Sequence, residues 1–335
     1  MTDMLEMIRS LGSQLRWAAD VEIPDVAPNL DFVVAGMGGS GIGGDFAEAI
    51  FHDTPVGIYG HKGYPPLPGW VERVRPTLLG VSYSGNTEET LGVVDHAHSG
   101  GLDVVSVTTG GALRSRSHDN GWPTIEVPGG LQPRAALGYL FGSVLRLIGE
   151  ASGISDFRRD LHEAANLADE VTAEGSEGWA RAERIAEQLA GRVVVVYGGG
   201  ALSGAAAQRW KTQINENAKV PAWWSVLPEL DHNEIVGWET LSGVTSENVG
   251  IVGLVDEGDH ERVFDRYRHT RRLTEEAVPW VDIVDSTGSS AVARLIGLTV
   301  LGDLVSWMLA MNAGVDPVPV GTIEELKELL VEEDR

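Results

Sequence analysis

Three hydroxyl side chains lie close together in one short segment, "SYSGNTEET" (residues 82–90), which also contains a glycine. Ser82, Ser84 and Thr87 come just before a predicted helix whose first turn includes Glu88. Backbone N–H groups at a helix N-terminus lack partners and carry partial positive charge, so they bind anions readily. One N-terminal cap would explain one hydroxyl, but not three. We therefore predict that this segment binds a phosphate group.

A second glycine-rich segment, "AGMGGSGIGGD" (residues 35–45), follows a predicted strand and formally contains the motif G-x-G-x-x-G. In dinucleotide-binding domains this motif is accompanied by an acidic residue about 20 residues further on, at the end of the next strand. The corresponding segment here, "IYGHKGYPP" (residues 58–66), has no acidic residue. The dinucleotide interpretation is therefore disfavoured. A tight glycine turn still allows a helix or a ligand to approach the backbone closely.

Apolar runs alternate with helical patterns throughout the N-terminal half of the chain. The predicted strands lie at residues 32–38, 54–59, 77–85, 102–109 and 122–128. The predicted helices lie near residues 42–52, 88–101 and 133–152. Strands that alternate with helices form a parallel sheet that is covered on both faces. Both glycine-containing segments follow a strand, which is where open α/β sheets bind their ligands.

The C-terminal half repeats this order, which indicates an internal duplication. Residues 192–218 resemble the first strand, glycine turn and helix, and residues 249–270 resemble the third strand and its helix. Residues 278–317 resemble the fifth strand and the long helix, and a polar helical region at 153–188 joins the halves. We predict an N-terminal domain over residues 1–152 and a C-terminal domain over residues 153–335, which ends in an amphipathic helix.

The second copy of the hydroxyl-rich segment is "LVDEGDHER" (residues 254–262), which carries acidic residues instead of hydroxyls. These acidic side chains would repel a phosphate group. The sequence therefore predicts one phosphate site per chain, in the N-terminal half.

Composition excludes several classes of function. The chain has 335 residues and a formal net charge of −24, so most of its surface would repel a nucleic acid. It has no cysteine, which excludes thiol chemistry and favours a reducing cytoplasm. No H-E-x-x-H motif or Cys/His cluster indicates a metal site. We expect no signal peptide at the N-terminus and no run of roughly 18 to 20 apolar residues that could span a membrane.

Five blocks of sequence together resemble one known family. "GMGGSGIGGD" and "SYSGNTEET" resemble the sugar isomerase (SIS) fold family. "NENAKVP" (215–221), "DHNEIVGW" (231–238) and the closing "GVDPVPVGTIEELKELL" (314–330) are similar to its bifunctional phosphoglucose/phosphomannose isomerase branch. The resemblance implies two tandem SIS domains with flavodoxin-like, doubly wound, mostly parallel sheets. It also implies a homodimer, no cofactor, and interconversion of glucose 6-phosphate or mannose 6-phosphate with fructose 6-phosphate through a cis-enediol.

Aldose–ketose isomerisation needs a base near two adjacent carbons, a cation or donor for the enediolate oxygens, and a group that opens the sugar ring. The resemblance gives Glu216 the role of base, and we expect Asn215 and Asn217 to orient it. It places Arg134 at the enediolate oxygen, at the start of the long helix after the fifth strand. On an amphipathic helix, a surface position is the more usual one for a glutamate.

The resemblance also assigns ring opening to His232, supplied by the partner subunit. An unperturbed histidine titrates close to physiological pH, as this step requires; capping of the next helix is the alternative role. Lys327 is implied near the ring oxygen. The first glycine turn is expected to approach the sugar closely through Gly38, Gly39 and Ser40.

The apolar stretch "VPAWWSVLPEL" (220–230) would be costly if Trp223 and Trp224 were exposed on a monomer, so it supports a dimer. Burial of these tryptophans within one chain is the alternative. Two other functions stay open. A non-catalytic SIS-domain sugar-phosphate sensor would keep the hydroxyl segment without needing Glu216, His232 or Arg134, and a related isomerase would act on another sugar phosphate.

Overall fold

A computed structural model describes residues 3–333 and contains two separate parallel β-sheets. The N-terminal sheet has five strands in the order β2-β1-β3-β4-β5. They are β1 (Asp31–Ala35), β2 (Gly57–His61), β3 (Thr77–Val81), β4 (Val104–Thr108) and β5 (Thr124–Glu126). The helices of this half are α1 (Met4–Arg9), α2 (Leu11–Asp20), α3 (Gly38–Phe51), α4 (Val71–Val74), α5 (Glu88–Ser99), α6 (Gly111–Asn120) and α7 (Leu137–Ser152).

The C-terminal sheet has four strands in the order β7-β6-β8-β9. They are β6 (Val193–Gly198), β7 (Ala222–Val226), β8 (Val249–Val255) and β9 (Trp280–Asp285). The helices of this half are α8 (Arg158–Thr172), α9 (Glu177–Leu189), α10 (Ala201–Gln213), α11 (Ser242–Asn248), α12 (Glu261–Thr274), α13 (Ala291–Ala313) and α14 (Gly321–Glu333). Every strand pair in both sheets is parallel, which confirms the predicted fold class.

The duplication is visible in the strand order, because β7-β6-β8-β9 follows the same pattern as β2-β1-β3-β4. One predicted correspondence was wrong. Residues 278–317 were matched to the fifth strand and long helix, but β9 pairs with β8, as β4 pairs with β3. Among the described residues, the second sheet has no equivalent of β5. Order along the chain suggested the match, whereas hydrogen bonding decides a strand's place in a sheet.

The helix α8 packs against α2 of the N-terminal half and against α13 of the C-terminal half. The predicted domain boundary lies just ahead of it, at Gly153, which ends α7 in a left-handed conformation. The helices α3 and α10 also contact each other across the two halves. The two sheets are therefore joined by packed helices, and the boundary at 152/153 remains a prediction.

The helix α13 has 23 residues and its most apolar 18-residue stretch has a mean hydropathy of 1.6, so by length and composition it is apolar enough to cross a membrane. No apolar run near that length is expected from the sequence. Inside the protein, 89% of the most apolar part of this helix is buried. It is therefore the central core helix of the C-terminal half, packed against α8, α9 and α10.

A buried ion pair connects α10 and α13. Arg209 donates from Nε and Nη2 to the two carboxylate oxygens of Asp303, at 3.1 and 3.0 Å. Burial raises the pKa of the Asp303 carboxyl, and the Arg209 charge opposes this. Arg209 also donates to the backbone oxygen of Arg134 at 2.6 Å. The pair therefore fixes a residue of the N-terminal half from within the C-terminal core.

We expect Asp303→Asn to destabilise the protein strongly. The substitution keeps the size of the side chain but leaves the Arg209 charge uncompensated, which costs about 3–5 kcal/mol at buried pairs. Urea denaturation followed by circular dichroism measures this loss. The control is Asp53→Asn, since the Asp53 side chain is 98% exposed and its replacement should change stability by no more than about 0.5 kcal/mol. Equal stability of the two variants would contradict the role of the pair.

Candidate active site

The start of α3 packs directly against the segment that carries Arg134. The sequence analysis placed the start of this helix near residue 42, but it begins at Gly38, so Gly38, Gly39 and Ser40 form its first turn. A Cβ atom on Gly39 would lie 2.6 Å from the Arg134 Cα, so only glycine fits there. The Ser40 hydroxyl accepts a hydrogen bond from the Tyr83 N–H at 3.1 Å. The first helical turn is therefore held between Arg134 and the hydroxyl-rich segment.

The hydroxyl-rich segment follows β3 and is internally hydrogen-bonded. The Ser82 and Thr87 hydroxyls are 2.9 Å apart, and the Ser82 oxygen accepts from the Gly85 N–H at 3.1 Å. The Ser84 oxygen accepts from the Asn86 N–H at 3.2 Å, and Ser84 is exposed. Thr87 is the N-cap residue of α5, but its side chain makes no capping hydrogen bond. Ordinary capping therefore does not explain these hydroxyls.

The helix α6, which the sequence analysis did not predict, braces this turn. The Asn86 side-chain oxygen accepts from the Ala112 N–H at 3.0 Å, at the start of α6. Gly85 has φ +68°, and a Cβ atom there would lie 1.8 Å from the Gly110 oxygen. The Thr109 hydroxyl donates to the backbone oxygen of Tyr83 at 2.7 Å. The residues after β4 therefore fix the shape of the turn after β3.

In the C-terminal half, a carboxylate from the acidic copy of the segment closes the glycine turn between β6 and α10. The N–H groups of Gly199 and Gly200 donate to the Ser203 hydroxyl oxygen, which lies 2.8 and 2.9 Å away. That hydroxyl donates to Asp259 at 3.1 Å, and a Cβ atom on Gly200 would lie 2.1 Å from an Asp259 oxygen. Burial raises the pKa of the Asp259 carboxyl. Asp259, from the acidic copy of the segment, thus fills the glycine turn after β6.

Arg134 is 3% exposed, and side-chain and backbone oxygens surround its guanidinium. Its Nε donates to the Asn217 side-chain oxygen at 2.8 Å, and its Nη2 donates to the backbone oxygens of Pro317 and Val318 at 2.8 and 2.9 Å. Its Nη1 lies 3.8 Å from a carboxylate oxygen of Glu216. Burial lowers the pKa of Arg134, and the Glu216 charge opposes this. The guanidinium is therefore held in one position beside a carboxylate.

Arg134 does not lie on the long helix as predicted. It lies in a single 3₁₀ turn, Pro133–Ala135, and α7 begins only at Leu137. The side chain is still close to the expected place, since this turn follows β5 and precedes the long helix. Because this turn is separate from α7, the backbone oxygen of Arg134 accepts a hydrogen bond from Arg209. In a continuous helix, a helical hydrogen bond would occupy that oxygen.

Glu216 lies in a short π-helical segment, Ile214–Ala218, that ends α10. Such segments occur often at functional sites because they push one side chain out of the regular helical spacing. The Glu216 side chain is 26% exposed. The neighbouring amides do not flank it as predicted: Asn215 donates to the Val220 oxygen, and Asn217 donates to the Ser306 hydroxyl. Asn217 instead orients Arg134.

His232 and Lys327 are not brought to this pair within the chain. His232 ends a 3₁₀ turn, Glu229–His232, and Lys327 lies on α14; both are exposed. Within residues 3–333, neither side chain makes a hydrogen bond or an ion pair. The single chain therefore assembles Arg134, Glu216 and the hydroxyl-rich turn, and leaves two predicted site residues outside.

The residues on both sides of His232 are firmly anchored, although its own ring is exposed. Asp231 accepts from Arg266 at 2.9 Å and from Thr270 at 2.8 Å, both on α12. Glu234 accepts from the Tyr197 hydroxyl at 2.6 Å, and burial raises the pKa of Tyr197. The backbone is thus fixed on either side of an outward-facing imidazole. Sequence patterns did not identify these anchors, which lie up to 39 residues away from the residues they hold.

Together, the groups in one chain suit a reaction on a phosphorylated substrate. The hydroxyl-rich turn contacts the first turn of α3, which packs against Arg134, and a partly exposed carboxylate lies 3.8 Å from the Arg134 guanidinium. A carboxylate can remove a proton from carbon when a nearby cation stabilises the negative oxygen that forms.

Comparison with known proteins identifies the family. Residues 180–330 match the family model described as the bacterial phospho-glucose isomerase C-terminal SIS domain. The chain is 35% identical to a bifunctional phosphoglucose/phosphomannose isomerase of Caldicellulosiruptor bescii, with 98% of this chain and 99% of the relative covered. It is 37% identical to a protein of the same name from Aquifex aeolicus, with the same coverage.

Other similarities are broader. A D-glucosamine-6-phosphate 4-epimerase of Sulfolobus acidocaldarius is 32% identical over 66% of this chain and 68% of its own length. In fold alone, the chain resembles a hypothetical protein from Thermus thermophilus, with a TM-score of 0.74 and 16% identity, over 98% of this chain and 90% of that one. Full-length identity above one third, together with the matched SIS domain, shows that the chain belongs to the bifunctional phosphoglucose/phosphomannose isomerase family.

Proposed function

We propose that this protein is an aldose–ketose isomerase that interconverts glucose 6-phosphate and mannose 6-phosphate with fructose 6-phosphate. The observation that carries the proposal is the Glu216 carboxylate, 3.8 Å from a buried Arg134 guanidinium whose Nε and Nη2 are held by hydrogen bonds. Family membership supplies the substrates, since the relatives that are similar over their full length carry that name. The proposal needs no cofactor and no metal.

In the proposed reaction, the sugar phosphate group binds Ser82, Ser84 and Thr87, and the first turn of α3 lies along the sugar. Glu216 takes the proton from C2 of the open-chain aldose, and the carbonyl electrons move to O1. Arg134 stabilises the resulting cis-enediolate. Glu216 then returns the proton to C1, while the O2 hydroxyl proton moves to O1 and C2 becomes the carbonyl of fructose 6-phosphate.

One base serves both aldoses in this scheme. Glucose 6-phosphate and mannose 6-phosphate differ only in configuration at C2. Rotation about C2–C3 presents either face of the same enediolate to Glu216, so protonation at C2 gives either sugar. A second catalytic acid is therefore unnecessary for the dual activity.

The charge distribution suits an anionic substrate even though the protein is acidic. The formal net charge is −24, so long-range attraction does not favour phosphate binding. Local groups must provide the affinity: the hydroxyls and N–H groups of the 82–87 turn and the Arg134 guanidinium. In the second half, the closed turn at Asp259 offers no such site. One sugar phosphate per chain is the expected stoichiometry.

The proposed site is completed across a homodimer. His232 of the partner subunit opens the sugar ring, and Lys327 acts near the ring oxygen. Trp223 and Trp224 lie on the edge strand β7 and are 58% and 39% exposed, which favours an interface over burial within one chain. We place the enzyme in cytoplasmic sugar-phosphate metabolism, at the glycolytic and gluconeogenic interconversion of hexose phosphates.

Two alternatives differ in testable ways. A non-catalytic sensor has no need for the fixed Arg134–Glu216 pair, so this pair favours the enzyme. An enzyme for another sugar phosphate has one observation in its favour, the partial similarity to a D-glucosamine-6-phosphate 4-epimerase. Turnover of glucosamine 6-phosphate without turnover of glucose 6-phosphate would favour this second alternative.

The first prediction tests the reaction and its base together. A coupled assay should detect fructose 6-phosphate formation from both aldoses, unchanged by a chelator. Glu216→Gln should lower kcat for both by at least ~10²–10⁴, the range for a positioned general base, with little change in KM. Loss of one activity alone would mean that two different bases act. The matched control is Glu183→Gln, at an exposed position of α9.

The second prediction concerns the phosphate. Ser84→Ala and Thr87→Ala should each weaken fructose 6-phosphate binding about 10- to 100-fold, because a hydrogen bond to a charged group contributes about 1.5–3 kcal/mol. Isothermal calorimetry measures the affinity. Ser115→Ala, at an exposed position of α6, is the control and should leave binding unchanged. Full affinity in the double variant Ser84→Ala/Thr87→Ala would place the phosphate elsewhere.

The third prediction concerns the shared site. Glu216→Gln and His232→Ala subunits should each be inactive as homodimers and should recover part of the activity when mixed. Each mixed dimer then contains one site with an intact Glu216 and an intact His232. Native mass spectrometry confirms subunit exchange. An inactive mixture despite exchange would mean that His232 works within its own chain.

A further inference from the structure

Tyr83 lies between Ser82 and Ser84 in the hydroxyl-rich turn (residues 82–87), but its side chain is buried. It is 5% exposed, whereas Ser84 is exposed. The Tyr83 N–H donates to the Ser40 hydroxyl oxygen at 3.1 Å. Its backbone oxygen accepts from the N–H and the hydroxyl of Thr109, at 3.1 and 2.7 Å. The backbone of Tyr83 therefore belongs to the turn, while its side chain extends into the protein.

The Tyr83 hydroxyl bonds to both ends of a short segment, residues 128–131, which we call the glycine loop. It donates to the backbone oxygen of Pro128 at 3.0 Å and accepts from the Leu131 N–H at 3.1 Å. Burial raises the pKa of this hydroxyl, so it keeps the proton that it donates. Gly129 and Gly130 between these ends are exposed, and Gly130 has φ +99°. Because glycine leaves the backbone many conformations, one buried hydroxyl fixes a loop whose own sequence does not.

The glycine loop leads directly into Arg134. The 3₁₀ turn that carries Arg134 begins two residues after Leu131. Arg209 donates to the backbone oxygen of Arg134 and so holds this turn from the C-terminal half. Tyr83 holds the chain that enters the turn, through its bond to the Leu131 N–H. The hydroxyl-rich turn and the buried guanidinium are therefore linked through one phenol group.

We propose that Tyr83 is a positioning residue that couples binding of the substrate's phosphate group to the placement of Arg134. The inference rests on the proposed function and deepens it. A phosphate group bonded to Ser84 and Thr87 orders the hydroxyl-rich turn, and the Tyr83 hydroxyl then holds the glycine loop and the turn that carries Arg134. Part of the binding energy of the phosphate group is thus used to fix the cation that stabilises the enediolate, which raises kcat. Tyr83 acts through Arg134 and is not itself a catalytic residue.

The variant Tyr83→Phe removes the hydroxyl and keeps the buried ring. It should lower kcat about 10-fold for both aldoses, because the two hydrogen bonds that hold the glycine loop are lost. The affinity for fructose 6-phosphate, measured by isothermal calorimetry, should not fall, since Ser84 and Thr87 remain. The matched control is Tyr59→Phe, on the edge strand β2, where the side chain is 37% exposed; it should keep full kcat. Full kcat in Tyr83→Phe, or a parallel loss of kcat and affinity, overturns the inference.

Supplying the sugar and the phosphate as separate molecules tests the coupling itself. The probes are unphosphorylated fructose and inorganic phosphate, and NMR follows deuterium uptake from heavy water at C1 of fructose, corrected for the rate without protein. In the unsubstituted protein, saturating phosphate should speed this uptake at least about 10-fold, because phosphate in the hydroxyl-rich turn fixes Arg134 for the separate sugar. In Tyr83→Phe, phosphate should still bind but should no longer speed the uptake. No acceleration in the unsubstituted protein, or equal acceleration in Tyr83→Phe, overturns the inference.

A double-variant cycle tests whether Tyr83 acts through Arg134. Arg134→Lys keeps the charge but loses the bonds that fix it, so adding Tyr83→Phe to this variant should lower kcat no further. Circular dichroism confirms that each variant is folded, and effects that multiply overturn the inference. Absence of glucose 6-phosphate turnover in the unsubstituted protein would contradict the proposed function itself. Normal turnover together with a fully active Tyr83→Phe variant would contradict only the coupling.

Discussion

The burial of one guanidinium, that of Arg134, is the constraint on which the site depends. Removing an ion from water costs several kcal/mol unless charges and hydrogen bonds replace its hydration. Asn217 and the backbone oxygens of Pro317 and Val318 supply those bonds, and Glu216 supplies the opposite charge. These partners come from the π-helical segment and from the chain before α14. A single side chain therefore fixes Glu216, its own guanidinium and the start of the C-terminal helix relative to one another.

The two halves show how duplication leads to one site per chain. Each half places a glycine turn and a second turn at the carboxyl ends of adjacent parallel strands, where ligands bind in such folds. In the first half, the second turn carries hydroxyls and remains open. In the second half, Asp259 of the second turn bonds to Ser203 and fills the glycine turn, and the helix after that glycine turn, α10, leads into the segment that carries Glu216. One copy is thus suited to hold the phosphate, and the other to supply the base.

Local patterns in the sequence predicted the parallel sheets well, because apolar runs and glycine turns act over a few residues. They missed β7, whose exposed tryptophans at an edge do not look like a buried strand, and α6, whose sequence has no clear apolar face. They also missed Arg209 and Asp303, which are 94 residues apart and pair only in the folded core. Asp303 did carry a signal, since a lone acidic residue within the apolar helix α13 requires a buried partner. The roles of His232 and Lys327 stay predictions, because both side chains are exposed in the single chain.

The central claim is that the hydroxyl-rich turn and the Arg134–Glu216 pair form one site for one sugar phosphate. A crystal structure with fructose 6-phosphate bound tests it most directly. The account predicts phosphate oxygens within hydrogen-bond distance of Ser84 and Thr87, and a Glu216 carboxylate oxygen about 3–3.5 Å from C1 and C2. A sugar phosphate bound away from Glu216, or with its phosphate outside the 82–87 turn, would contradict it.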